Sequence, residues 1–164
     1  MATTVVIFSR RTGILGAVLT DDRVCCEMIA DFVHLDPAMV KLLLRVKGAD
    51  KLTLISDTGA FSGLPDGQYG EQFVKDGVCR NREGTISGSC FSMLRGAQNL
   101  RQLGVSLVDI SIMASWNPAQ LLGLTDTMGS IEPEKCADLI ICDDMLNLHT
   151  VFIDGIAITK EATI

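Results

Sequence analysis

The segment 52–67, LTLISDTGAFSGLPDG, places one carboxylate, Asp57, directly after an apolar run. The run Leu52–Ile55 is typical of a buried parallel strand, and in α/β folds catalytic residues lie at the carboxyl ends of such strands. The loop that follows is rich in Gly, Ser and Pro. A buried strand that delivers a carboxylate into such a loop is a common way to build a catalytic site. The alternative is that Asp57 only caps or turns the chain.

A second titratable group, His34, follows the preceding predicted strand, residues 24–30. An Asp-Pro pair then supplies an N-cap and a first helical residue, and an apolar stripe predicts a helix over 37–47. With the strand at 51–56, these elements form a βαβ unit, which implies two parallel strands. His34 and Asp57 are therefore predicted on one rim of the sheet, as expected of a catalytic pair. The alternative for His34 is a helix cap or a plain surface histidine.

Two further stretches have the composition of ligand sites. Arg10 and Arg11 follow a predicted strand at 4–8, and paired guanidinium groups can grip a phosphate, although such pairs are more often solvated turns. Residues 82–89, REGTISGS, combine small side chains with free N–H groups ahead of a predicted helix at 90–103. That combination can hold a polar or anionic group, and the alternative is a plain flexible loop.

The rest of the chain predicts short alternating elements, so the fold class is α/β. The predicted elements are strands at 14–19, a β excursion over 68–80 with a turn at Asp76-Gly77, helices at 107–115 and 117–123, and strands at 137–142, 150–153 and 156–158. His149 falls among these last strands, away from the predicted rim, and receives no role.

Charge and composition exclude several classes of protein. The net charge of −6 and the lack of a basic stripe argue against a nucleic-acid partner. There is no apolar run long enough for a membrane span, and the N-terminus does not have the pattern of a secretory signal. Six cysteines without a CxxC pair indicate reduced, mostly buried thiols in a cytoplasmic protein.

The chain is unusually apolar for a protein without a membrane span. Hydrophobic residues make up 48% of it before its 15 glycines are counted, which brings the apolar share to roughly 57%, against a typical 45–50%. The surplus suggests that part of the apolar surface packs against polypeptide outside this chain.

Five stretches together resemble the amidohydrolase superfamily, and within it the N-acetylglucosamine-6-phosphate deacetylase family. They are IADFVHLDPAMV (29–40), LTLISDTGAFSGLPDGQY (52–69), DGVCRNREGTISGSCFSM (76–93), ASWNPAQLLGL (114–124) and GSIEPEKCADLIICDD (129–144). The last two are common across amidohydrolases, whereas the first three, in this order and spacing, are specific to the deacetylases. The resemblance runs from about residue 9 to the end of the chain.

The resemblance implies the C-terminal portion of a (β/α)8 TIM-type barrel together with the C-terminal strands of a small β-sandwich. Residues 1–128 would supply the last barrel strands and helices, and residues 129–164 the sandwich segment. The partners implied are a missing N-terminal barrel portion, an amino-sugar phosphate and, in the full-length family, a second copy in a homodimer.

The resemblance also implies a reaction and a set of site residues. The family hydrolyses the N-acetyl group of N-acetylglucosamine 6-phosphate to give glucosamine 6-phosphate and acetate. Asp57 matches the catalytic aspartate that takes a proton from metal-bound water and passes it to the leaving amine. The matching substrate-binding positions are Arg10 (or Arg11), Asp31, Phe32, Val33, His34, Ile86, Ser87 and Gly88. Phe32 departs from the family, which usually has glycine there, and a bulky ring at this place is expected to alter the pocket.

The metal centre of the family is the main departure. Its divalent metal, zinc or a similar ion, is held by a glutamate and two histidines on earlier strands, whereas this chain has two histidines in all. The metal ligands are therefore expected to be absent from this chain, and the chain alone is predicted to show no turnover. The alternatives are a non-catalytic module that binds a sugar phosphate or pairs with another subunit, and a different amidohydrolase such as a dihydroorotase-like enzyme.

Overall fold

The computed structural model describes residues 13–158, so Arg10, Arg11 and the strand predicted at 4–8 lie outside the described residues. The helices are α1 (Gly13–Thr20), α2 (Pro37–Lys47), α3 (Met93–Gln102), α4 (Leu107–Ser111) and α5 (Asn117–Leu122), with a 3-10 turn at Ala49–Lys51 and a π-helical segment at Ile112–Trp116. The strands are β1 (Cys26–Ile29), β2 (Leu52–Ile55), β3 (Gly67–Tyr69), β4 (Gln72–Lys75), β5 (Val78–Arg80), β6 (Ile86–Ser89), β7 (Leu139–Cys142), β8 (Leu148–Ile153) and β9 (Ile156–Ile158). The predicted α/β class is confirmed.

The predicted βαβ unit is present. Strands β1 and β2 pair in parallel, with Ile29 opposite Ile55 at their carboxyl ends. Helix α2 connects them and has the predicted bounds. Its start is set by Asp36, whose side chain accepts a hydrogen bond of 2.7 Å from the amide of Ala38.

One apolar core holds this unit together. Met28, Leu52 and Leu54 point from the two strands into the core and are at most 1% exposed. Leu100 of α3 and Met113 of the π-helical segment cover them and are fully buried. Successive residues of a strand face opposite sides of the sheet. The strand residues that alternate with these three therefore face the other side of the sheet.

The prediction of a strand at 14–19 is wrong, because these residues form helix α1. A short apolar run has no periodicity that separates a strand from a helix, and the tertiary contact decides. That contact is Lys47, whose buried amine donates to the carbonyls of Val18 at 3.0 Å and of Asp21 at 2.8 Å. Lys47 thereby bonds the carbonyl of Val18 in the last turn of α1, where helical carbonyls lack partners within the helix, and also the carbonyl of Asp21, which follows the helix.

The predicted β excursion is a four-stranded antiparallel sheet in the order β3-β4-β5-β6. Asp76 and Gly77, both at positive φ, make the predicted turn between β4 and β5. Residues 82–89 are not a loop throughout, because Ile86–Ser89 forms strand β6 and pairs with β5. The amide of Ser89 in this strand donates a hydrogen bond of 2.9 Å to the carbonyl oxygen of Asp57.

The helices after β6 follow the prediction. Ser92 caps α3, and Ser106 caps α4 by accepting a hydrogen bond of 3.0 Å from the amide of Asp109. Residues 107–122 run through the π-helical segment into α5, which ends at Gly123 in the left-handed conformation.

The three C-terminal strands form an antiparallel sheet, β7-β8-β9. Every residue of β9 is exposed, and so are the apolar residues Leu139, Ile140 and Ile141 of β7. The sheet thus has little apolar cover within the part of the chain that the structure describes.

The six cysteines are all free thiols. The prediction that most are buried is wrong, because only Cys79 is buried, and Cys25 and Cys136 are exposed. Between residues 13 and 158 there is no helix that is both long and apolar enough to cross a membrane.

Candidate active site

His34 is held in place by Asp31, which begins the turn after β1. Asp31 Oδ2 lies 2.7 Å from His34 Nδ1, and the two side chains are 3% and 17% exposed. The other oxygen of Asp31, Oδ1, accepts hydrogen bonds of 2.9 Å from the amides of Val33 and His34. One carboxylate therefore fixes both the turn and the direction of the imidazole ring.

This turn requires an unusual backbone at Phe32, whose φ is +66°. L-residues with a side chain pay about 1–2 kcal/mol in this left-handed region, and glycine does not. The partly buried side chain of Phe32 packs against the apolar core.

The environment of Asp31 favours its ionised form. Burial alone raises the pKa of this carboxyl, but the hydrogen bonds from the amides of His34 and Val33 and from the His34 ring outweigh it. The pKa of Asp31 therefore lies below its ordinary value of 3.8.

Asp57 follows β2 on the same rim. Its side chain is 56% exposed, and Oδ2 lies 3.9 Å from His34 Nε2. Its φ of +49° turns the chain sharply as the strand ends. The predicted meeting of the two titratable groups at one edge of the sheet is confirmed, although 3.9 Å is too long for a direct hydrogen bond.

Strand β6 holds the backbone of Asp57. The amide of Ser89 donates a hydrogen bond of 2.9 Å to the carbonyl oxygen of Asp57, and Thr58 forms a parallel bridge with Ser89. Gly88 has φ +135°, and a Cβ atom there would lie 3.0 Å from the same carbonyl oxygen. Gly88 thus permits a close approach of two backbones rather than only a contact with a ligand.

The predicted site residues fall into two groups. Asp31, Phe32, Val33 and His34 form one turn, and Gly88 joins Asp57 through the backbone. Ile86 and Ser87 lead into this junction along β6, and Ser87 is exposed. Among the described residues, no hydrogen bond joins the side chain of Ser87 to His34 or Asp57.

Two buried asparagines support the rim and were missed in the sequence. The side-chain amide of Asn99 on α3 donates a hydrogen bond of 2.8 Å to the carbonyl of Ala30, the residue before Asp31. Asn117 on α5 donates to the carbonyls of Ala49 at 2.8 Å and Leu52 at 2.6 Å, at the start of β2. The sequence could have identified both asparagines, because a side-chain amide on the apolar face of a helix needs a buried hydrogen-bond partner.

The described residues do not fit the divalent metal that the amidohydrolase resemblance implies. Between residues 13 and 158, no three His, Cys, Asp or Glu side chains lie close enough together to hold a metal ion. His34 Nδ1 is already occupied by Asp31, which leaves Nε2 and the Asp57 carboxylate, and a hydrolytic zinc site needs about three protein ligands.

Comparison with known proteins identifies the family. Residues 17–158 match the amidohydrolase family. The chain belongs to this family. The amidohydrolase chain is 35% identical over 159 residues to the N-acetylglucosamine-6-phosphate deacetylase of Vibrio furnissii, a match that covers 94% of this chain and 40% of that protein. It is also 35% identical over 151 residues to a putative N-acetylgalactosamine-6-phosphate deacetylase of Escherichia coli K12, covering 89% of this chain and 90% of that protein.

Solved structures agree with these relatives. The N-acetylglucosamine-6-phosphate deacetylase of Thermotoga maritima superimposes with a TM-score of 0.81 at 37% identity, over 88% of this chain and 41% of that one. The predicted resemblance is confirmed. The amidohydrolase chain spans about two fifths of the length of the Vibrio and Thermotoga proteins but nine tenths of the Escherichia coli relative.

Proposed function

We propose that this chain is the C-terminal part of an N-acetylglucosamine-6-phosphate deacetylase, which hydrolyses the N-acetyl group to glucosamine 6-phosphate and acetate in cytoplasmic amino-sugar catabolism. The observation that carries the proposal is the convergence of His34 Nε2 and the Asp57 carboxylate, 3.9 Å apart, on one rim of the parallel strands. The similarity to proteins named as deacetylases supports the same reaction.

In this proposal Asp57 is the general acid and base. Its exposed carboxylate takes a proton from the attacking water and returns it to the nitrogen of the leaving amine, so that no net proton is consumed at the aspartate. His34 contacts the substrate through Nε2, and Ile86, Ser87 and Gly88 line its approach. Arg10, or Arg11 beside it, binds the sugar phosphate, as the family resemblance implies.

The proposal extends to the architecture. Residues 1–128 form the last strands and helices of a (β/α)8 barrel, and residues 129–164 form the C-terminal segment of a β-sandwich. Support comes from the parallel β1–β2 pair, the separate β7-β8-β9 sheet and the apolar side chains that this sheet exposes. An N-terminal barrel portion, whether a separate chain or a preceding segment, would cover this surface, and the whole enzyme would form a homodimer.

The test is an assay of acetate release from N-acetylglucosamine 6-phosphate. We expect no turnover by the purified 164-residue chain with added zinc, since the sequence has only two histidines. We expect turnover when an N-terminal barrel fragment from a related deacetylase is added. Asp57→Asn should reduce that turnover by about 10²–10⁴-fold, the usual contribution of a general acid or base. Turnover by the chain alone contradicts the first expectation.

A non-catalytic role is the alternative, and calorimetric titration with glucosamine 6-phosphate separates the two. Binding without turnover, even beside the complementing fragment, favours a module that only binds sugar phosphates. N-acetylgalactosamine 6-phosphate belongs in the same assay, because the relative that this chain matches almost end to end is named for that sugar.

A further inference from the structure

Both oxygens of the Asp31 carboxylate are engaged inside its own turn. Oδ1 accepts hydrogen bonds from the amides of Val33 and His34, and Oδ2 lies 2.7 Å from His34 Nδ1. The side chain is 3% exposed. A ligand on the rim therefore has no direct access to Asp31, which argues against the substrate contact that its place in the motif suggested.

The proton between Asp31 and His34 can be assigned from chemistry. An ionised carboxylate only accepts hydrogen bonds, and the lowered pKa of Asp31 means that it is ionised at neutral pH. His34 Nδ1 must then be the donor of the 2.7 Å bond. In a neutral ring the other nitrogen, Nε2, carries the lone pair.

We propose that Asp31 is a positioning residue, which holds His34 in the Nδ1–H tautomer and makes Nε2 the one ring nitrogen presented to a ligand. The proposal deepens the proposed function by placing Asp31 behind His34, and it rests on that function only for the identity of the ligand. The arrangement of the ring itself follows from the contacts alone.

Nuclear magnetic resonance of the histidine rings tests the proposal on the complete 164-residue chain. The sequence has two histidines, so His149, which is remote from Asp31 in the chain, serves as an internal reference. A long-range ¹H–¹⁵N correlation spectrum, recorded at a pH where the rings are neutral, should show His34 with a protonated Nδ1 and an unprotonated Nε2. The Nδ1 proton should resonate far downfield, as expected for a short bond to a carboxylate.

Asp31→Asn should reverse this pattern. The amide oxygen of the new side chain can keep the two backbone bonds, which turns its NH₂ group toward His34 Nδ1. The ring should then switch to the Nε2–H tautomer, so that its two ¹⁵N shifts interchange while those of His149 stay in place. Asp36→Asn is the matched control, since asparagine caps α2 as well as aspartate does and the tautomer of His34 should not change.

Two outcomes overturn the proposal. One is a wild-type His34 in the Nε2–H form, and the other is a folded Asp31→Asn variant whose His34 keeps the wild-type tautomer. If that variant loses its amide dispersion, the wild-type ring decides: a missing downfield Nδ1 proton refutes the proposal, and its presence with an unprotonated Nε2 supports it. Neither readout needs turnover, so a failed deacetylase assay leaves this result intact.

Discussion

The amide of Ser89 donates a hydrogen bond of 2.9 Å to the carbonyl oxygen of Asp57, and this bond places the end of β2 against the end of β6. The residue before Ser89 is Gly88, and there a Cβ atom would come within 3.0 Å of that same oxygen. The position of Asp57 thus depends on a glycine in another strand.

Gly88→Ala should destabilise the chain and displace Asp57. Its φ of +135° is strained for alanine, and the new methyl group presses on the Asp57 carbonyl. We expect a loss of about 2 kcal/mol in the free energy of unfolding, within the 1–3 kcal/mol typical of such strain. Urea denaturation and the amide shift of Asp57 measure the two effects.

Gly84→Ala is the matched control for this prediction. Gly84 also has positive φ, but its Cβ would have no neighbour within 4 Å. It should cost about 1 kcal/mol from backbone strain alone and leave the Asp57 amide unmoved. Equal effects of the two variants would contradict the role given to the close approach.

At position 32, a glycine variant should be more stable to unfolding than an alanine variant. Both substitutions remove the packing of the Phe32 ring on the core, but only glycine also relieves the strain at φ +66°. We expect Phe32→Gly to be about 1 kcal/mol more stable than Phe32→Ala in urea denaturation. At Phe91, where φ is not positive, the order should reverse, since glycine gives the unfolded chain more freedom.

Asn99→Ala should weaken the support behind Asp31. It leaves the buried carbonyl of Ala30 without the donor that lies 2.8 Å away, and a lost buried partner costs about 1–3 kcal/mol. Gln98→Ala on the same helix is the control, because Gln98 bonds a carbonyl, that of Leu146, from a half-buried position. We expect a smaller loss there in thermal or urea unfolding, and a larger one would refute the ranking.

Asp31 should make stability depend on pH in the acid range. Its pKa in the folded chain is lowered from 3.8, so the stabilisation is complete above that value and is lost as the pH falls through the folded pKa. Measured from about pH 5 downward, the difference in unfolding free energy between the wild type and Asp31→Asn should shrink as the pH falls below about 3.8. A difference that stays constant down to about pH 3 in urea titrations would contradict this account.

Local signals were sufficient for the βαβ unit and its rim. Asp36-Pro37 and the apolar stripe predicted α2 with its observed bounds, and the parallel pair then placed His34 and Asp57 at one edge. The same reasoning failed at residues 14–19, where a run without periodicity formed a helix that Lys47 completes from a distant part of the chain.

Sequence patterns alone identify the residues available for chemistry and, through strand direction, predict that two of them meet. Local patterns reach this far because capping, helical periodicity and parallel pairing act over short stretches of chain. The packing of distant elements, which no local pattern predicts, places Gly88 against the backbone of Asp57 and the side-chain amide of Asn99 against the carbonyl of Ala30, 69 residues away. These relationships depend on distances between elements, and such distances are set when the whole core packs.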